Sequence, residues 1–148
     1  MSGDAPDLTS FDDVLAAIGG DLPAAAGPRT TAQHLDHCAA SIVASLDGYP
    51  ALKPWIVRAT IGALVKRRFL AARRMTHDTA APLPGGHALP DRPLADARAA
   101  LVAAIARFRG HGGPLAPHPV YGACTAAEYE TLHAIHVADH LRAVHGAG

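Results

Sequence analysis

Apolar residues recur along this chain with the period of a helix, not with the alternation of a strand. Between residues 30 and 47, Leu35, Cys38, Ile42 and Leu46 return every three or four positions and form one stripe. Thr30 followed three residues later by Gln33 is a capping-box pattern, so a helix is expected from Thr30 to about Leu46, closed by Asp47-Gly48-Tyr49-Pro50. Val57, Ile61, Leu64 and Val65 mark the apolar face of a second long helix, from about Pro54 to Arg74, with the proline in its first turn. Leu94, Ala97, Leu101, Ile105 and Phe108 share a face of a third, capped by Asp91 and ending near Phe108. Thr125-Ala126-Ala127-Glu128 is another capping box and opens a last helix that runs to about Val144. A shorter helix is expected over residues 9–18, stopped by Gly19-Gly20 and followed by a linker containing Pro23, Gly27 and Pro28.

Two connections stand out. Residues 75–91 contain Pro82, Pro84, Gly85, Gly86 and Pro90 and cannot be helical, and residues 110–124 are also irregular. Four long helices with one short and two long links predict an all-α, four-helix-bundle chain. It reads as one domain over residues 1–148, with a short helix and linker over 1–29 and the bundle over 30–145. Loops this long in a small domain are usually functional or packed over something.

At 148 residues the chain can bury a sizeable core without disulfides. It is 49% hydrophobic but only 5% aromatic, and much of the apolar content is alanine, which favours close helix packing. The formal net charge is zero, so no overall field points to nucleic acid. Charge is nonetheless uneven. Residues 1–28 hold five aspartates and no base, whereas 53–74 hold Lys53, Arg58, Lys66, Arg67, Arg68, Arg73 and Arg74 and no acid. Without interleaved aromatics the basic run reads as a solvated helix face turned toward the acidic segment, not as a nucleic-acid surface. The two cysteines make no disulfide framework. Cys38 lies on the apolar stripe and reads as a small buried hydrophobe, while Cys124 stands just before a helix start, where a thiolate is favoured, but with no base nearby. No apolar run is long enough to span a bilayer and the N-terminus lacks a signal peptide's basic and apolar regions, so a cytoplasmic location is expected.

Histidine is the unusual count: there are ten, and four of them, His133, His136, His140 and His145, fall in the last sixteen residues. At about 100° per residue, Tyr129, His133, His136 and His140 fall in one stripe of the last helix, flanked by Leu132, Val137, Leu141 and Val144. His145 points elsewhere. His136 and His140, one turn apart, can grip a single transition-metal ion. A lone histidine on an apolar face is more often a satisfied core residue, but several imidazoles buried with no shared partner would cost a few kcal/mol. A third ligand has to come from another helix, where Gln33-His34-Leu35-Asp36-His37-Cys38 offers two choices. Neither His34 nor His37 points along the Leu35/Ile42/Leu46 stripe, and periodicity leaves the choice open.

The segments QHLDHCAASIVASLDGYP (33–50), TIGALVKRRFL (60–70), PLPG (82–85), PHPVYG (117–122) and EYETLHAIHVADHL (128–141), in this order and spacing, resemble the DinB/YfiT-like superfamily of metal-binding four-helix bundles. The chain is similar within it to an uncharacterised bacterial branch known only as a domain of unknown function, over about Thr31 to Arg142. The resemblance implies an up-down-down-up bundle with a long crossover after the second helix, a metal at one end of a cleft, and a homodimer. The family's first-helix histidine before a small-residue pattern falls on His37, ahead of Cys38-Ala39-Ala40-Ser41, and its last-helix pair falls on His136 and His140. Where the family often has a second histidine directly before the final one, this chain has Asp139. His133 is an extra histidine, a fourth ligand or a pocket residue. His118 and Tyr121, in a proline-stiffened loop, either touch a substrate or form a structural turn.

Three neutral imidazoles leave a divalent ion an open position, and the resemblance, whose members include thiol-dependent transferases and hydrolases, implies a metal-dependent thiol S-transferase or hydrolase acting on a small thiol or electrophile. Zinc or nickel suits imidazole best, with iron or manganese as alternatives. The rival expectation is a non-catalytic metal-binding or dimerisation module. No nucleophile elbow, phosphate-binding loop or dinucleotide fingerprint is present.

Overall fold

The computed structural model describes residues 7–146; residues 1–6, including Asp4 of the acidic segment, and 147–148 lie outside it. The described residues are all-helical, with no β-strand and one isolated bridge between His118 and Gly122. The elements are α1 (Phe11–Gly19), α2 (Thr31–Asp47), α3 (Trp55–Ala59), α4 (Ile61–Ala72), α5 (Leu94–Arg109) and α6 (Ala126–Val144). None is long and apolar enough to cross a membrane.

Local chemistry explains most of the boundaries. The hydroxyl of Thr30 accepts from the Gln33 amide while the Gln33 side chain accepts from the Thr30 amide, and Thr125 and Glu128 do the same for α6. The chain leaves α2 at Gly48, whose φ of 106° suits glycine. Two expectations change. The second long helix is split at Thr60, whose hydroxyl donates to the Ile56 carbonyl and so competes with the backbone ladder. The third starts at Leu94 after Pro93, not at Asp91, because the Asp91 carboxylate instead accepts from the Thr30 hydroxyl at 2.8 Å and ties the long connection of residues 73–93, here called the crossover, to the start of α2.

α2 is the central helix. It packs along α5 on one side and on α6 on the other, and α1 lies across α6 and α5. Phe11, Leu35, Ile42, Leu101, Ile105, Tyr129 and Leu141 are all but inaccessible in the core between them, each contributing about 1.5–3 kcal/mol by burial. α4 touches α6 but neither α2 nor α5. Its expected core face is therefore at the surface, with Ile61 68% and Leu64 66% exposed. The space between α2 and α4 is taken by the two long loops instead. A smaller cluster of Met75, Leu132 and Ile135, with Phe69, Leu70 and Tyr121 against it, seals the start of the crossover onto α6.

The second loop is held on every side. Its backbone accepts from Lys53 N at Pro119 and from Lys66 Nζ at Ala123, and the Ala116 amide donates to Ser45 O. The Tyr129 hydroxyl donates to Ala116 O at 2.6 Å. Gly62 lets α4 approach so closely that a Cβ there would lie 1.7 Å from the Val120 carbonyl oxygen. Of the basic run, Arg67 and Arg68 are exposed and Arg73 meets the N-terminal segment only at the Thr9 hydroxyl, while Asp12 of that segment pairs with Arg109 of α5.

Candidate metal centre

Four histidines converge where α2, the crossover and the last helix meet: His37 from α2, His77 from the crossover, and His136 and His140 from α6. One ring nitrogen of each lies within 4.8 Å of all the others. Nε2 of His140 is 3.2 Å from Nε2 of His77 and 3.2 Å from Nε2 of His136. Ligand nitrogens at the corners of a tetrahedral zinc site, with metal–nitrogen distances of ~2.0–2.1 Å, are separated by about 3.3 Å.

The proton inventory supports a shared cation. The Asp139 carboxylate can only accept, so His77 Nδ1 donates to its Oδ2 at 2.7 Å, which aims Nε2 at the other imidazoles. His140 contacts His34 Nδ1-to-Nδ1 at 2.8 Å. A neutral His140 has one N–H for three such contacts. With that proton on Nδ1, the His140 Nε2 lone pair faces the Nε2 atoms of His77 and His136, a convergence that a shared cation makes favourable. The donor set therefore fits a divalent transition metal, for which neutral imidazole is a common ligand.

The surroundings keep His37, His136 and His140 uncharged. Burial, with the Arg29 charge and the neighbouring imidazoles, pushes His37 down to about 3. Burial first, then the other histidines, pushes His136 and His140 well below the ordinary value. His34 moves the same way, by burial and by Arg29. Burial raises the Asp139 carboxyl, but its bonds to His77 outweigh that and hold it below the ordinary range. Asp139 also accepts from the His77 amide at 3.0 Å and from Arg142 Nη2 at 3.0 Å, and Arg142 in turn donates to the Met75 carbonyl. A carboxylate that orients a ligating histidine is the usual outer partner in such sites.

His37, His136 and His140, the three ligands expected from the sequence, are thus brought together. His77 joins them and was not anticipated. His133 is not in the cluster. Its Nε2 donates to Ser45 Oγ at 3.0 Å, since the Ser45 proton goes to Ile42 O, and its ring stacks on Tyr129. Burial lowers it to about 3, so it sits neutral in the wall of the neighbouring cleft. His118 Nδ1 accepts from the Val120 and Tyr121 amides, both at 3.1 Å, which leaves its proton on Nε2. Its ring stacks on Tyr121 with centroids 4.1 Å apart, and both line the cleft. His145 is exposed.

Neither cysteine supplies a thiolate. Burial drives the Cys38 thiol up, and pushes Cys124 to about 11 against the pull of Lys66. At Cys124 that desolvation outweighs the favour a helix start gives a thiolate.

The cleft has a volume of about 190 Å³, and His37, His77 and His136 form part of its lining. A family model described as "Protein of unknown function (DUF1569)" matches residues 24–146, and the chain belongs to that family. Neither a curated protein nor a solved structure matches it.

Proposed function

We propose that this chain is a DinB-like protein that holds one divalent metal ion through His37, His136 and His140, with His77 as a fourth ligand from the crossover, and uses it in a metal-dependent transfer or hydrolysis. The observation that carries the reading is that three of the four clustered histidines also line a cleft. A purely structural site would be closed off from ligands. The bundle helices would be α2, α4, α5 and α6 in up-down-down-up order, with residues 73–93 as the crossover.

When bound, the ion supplies Lewis acidity to a substrate heteroatom. The protein's own groups do the rest. Asp139 fixes the His77 ring, His34 fixes His140, and Met75 with Leu132 screens the floor from water. With both thiols held protonated, neither cysteine serves as the nucleophile, and the attacking group is water or a thiol brought by a substrate. Zinc or nickel suits the imidazole set best. A second reading, a non-catalytic metal module, is favoured by the count of ligands, because four imidazoles suffice to close a tetrahedral site.

Metal analysis of protein purified without a histidine tag tests the proposal. About one equivalent of metal, or a raised melting temperature on adding zinc or nickel, is expected, and His136→Ala should abolish both. Metal below about a tenth of an equivalent, with no thermal shift on addition, would refute it. Turnover of thiol-plus-electrophile or ester panels by the loaded protein separates enzyme from module.

We also propose a homodimer. Leu52, Trp55, Ile56, Ile61 and Leu64 are large apolar side chains left exposed close together along the chain, on α3, α4 and the segment before them.

A further inference from the structure

The cleft beside the histidine cluster has a lining that specifies its ligand further. Pro82, Leu83 and Pro84 from the crossover, Val120 and Tyr121 from the second loop and Leu132 from α6 form apolar walls. No lysine or arginine lines it, and Asp78 is its one formally charged residue apart from histidine. The Asp78 carboxylate is engaged in its own turn, accepting from the Ala80 amide at 3.0 Å. The Tyr49 and Tyr129 hydroxyls donate to the backbone carbonyls of Ser41 and Ala116. His118 and His133 are both neutral, and the stacked His118–Tyr121 pair, with ring planes 10° apart, is a flat face.

Such a lining offers no lysine or arginine of the kind with which proteins hold phosphates and polycarboxylates. Size narrows it further. A dry apolar cavity of about 150 Å³ accommodates benzene, and sites for drug-sized ligands run from about 300 Å³ upward. At about 190 Å³ the cleft takes one ring and a small substituent.

Resting on the metal reading above, we infer that the substrate places an uncharged ring or ring-sized apolar group in this cleft, with a single metal-directed heteroatom group reaching the histidines. A substrate with a phosphate or several carboxylates on that group is excluded. Any polar thiol that takes part approaches from outside the cleft.

Two hydroxamates with the same chelating head test this on the zinc-loaded protein. Benzohydroxamate should bind about tenfold or more tightly than acetohydroxamate, and a para-carboxylate on the ring should remove that gain. Leu83→Asp, in a half-buried wall residue that is not a ligand, should lose the preference for the ring while keeping its zinc and its acetohydroxamate affinity. Equal affinity for the two hydroxamates, or tighter binding of the para-carboxylate form, overturns the inference. Should the protein take up no zinc, the metal reading fails by itself, and the cleft is judged on the metal-free protein. There, benzyl alcohol should shift the methyl resonances of Leu83, Val120 and Leu132 and benzoate should not; the reverse, or no shift with either, overturns it.

Discussion

Replacing Asp139 by Asn removes one negative charge and leaves the shape of the side chain nearly unchanged. In the native protein this carboxylate takes the Nδ1 proton of His77 at 2.7 Å and the His77 amide at 3.0 Å, so it fixes both the ring and the stretch of crossover that carries it. Its other oxygen accepts from Arg142, whose side chain is 12% exposed and which also donates to the Met75 carbonyl, so the guanidinium keeps a partner in the variant. Losing the outer partner of a ligating histidine typically costs 10–100-fold in metal affinity, or about 1.4–2.8 kcal/mol. Zinc affinity, read by competition with a chromophoric chelator, should fall by that factor, while the metal-free melting temperature changes little. A double-mutant cycle sharpens the test. If Asp139 acts through His77, then Asp139→Asn should have almost no further effect in a His77→Ala background. Additive losses in the cycle, or wild-type affinity in Asp139→Asn, would refute the assignment of His77 as a ligand held by this carboxylate.

Gly62→Ala should destabilise the protein by about 1–3 kcal/mol in urea melts, because the new Cβ would meet the Val120 carbonyl oxygen at 1.7 Å; a change within error would mean the second loop yields freely. Acid should weaken the metal-free protein. His133 is lowered to about 3 in the fold from 6.5, so the unfolded chain takes up its proton first, and the stability this residue contributes above pH 6.5 is lost as pH falls toward 3, at about 1.4 kcal/mol per pH unit. The slope of unfolding free energy against pH between 6 and 5 should accordingly be smaller by about that amount in His133→Gln; parallel curves would contradict it. Light scattering should give a dimer mass for the wild type and a monomer for Ile61→Lys, and a monomeric wild type would dismiss the proposed homodimer.

Much of the fold was legible because the signals were local. Two capping boxes and a 3.6-residue period are properties of neighbouring residues, and α2 and α6 begin where Thr30 and Thr125 place them. The second long helix misled for a physical reason. Val57, Ile61, Leu64 and Val65 have the right spacing, yet Ile61 and Leu64 face outward. A stripe records that a face is apolar and says nothing of whether the molecule itself covers it. The reverse holds on α2, where His34, Asp36, His37, Ser41 and Ser45 lie off the hydrophobic stripe and are nonetheless buried. A central helix keeps only a narrow, half-exposed face, here Gln33, Ala40 and Val43, and a helical wheel does not reveal that it is central.

The same limit explains the histidine that was missed. Helical spacing places His136 and His140 together because both ride on α6, but His77 lies in the crossover, where no period applies. One signal for it was on α6 all along. Asp139 departs from the histidine that the resembled family often has there, and an acid directly beside a ligating histidine, half-hidden on a helix, needs a partner that its own helix does not provide in full. Arg142, at i+3, takes one oxygen, and His77 takes the other. Of the two roles expected for His133, fourth ligand or pocket residue, the structure favours the second. It shares the ligands' stripe, but one turn earlier along α6 it meets Ser45 and the Tyr129 ring in place of the converging imidazoles. Position on a stripe fixes the direction of a side chain around the helix axis, and height along the axis decides what it meets. A metal site needs both, and the second coordinate comes only from the elements packed across from it.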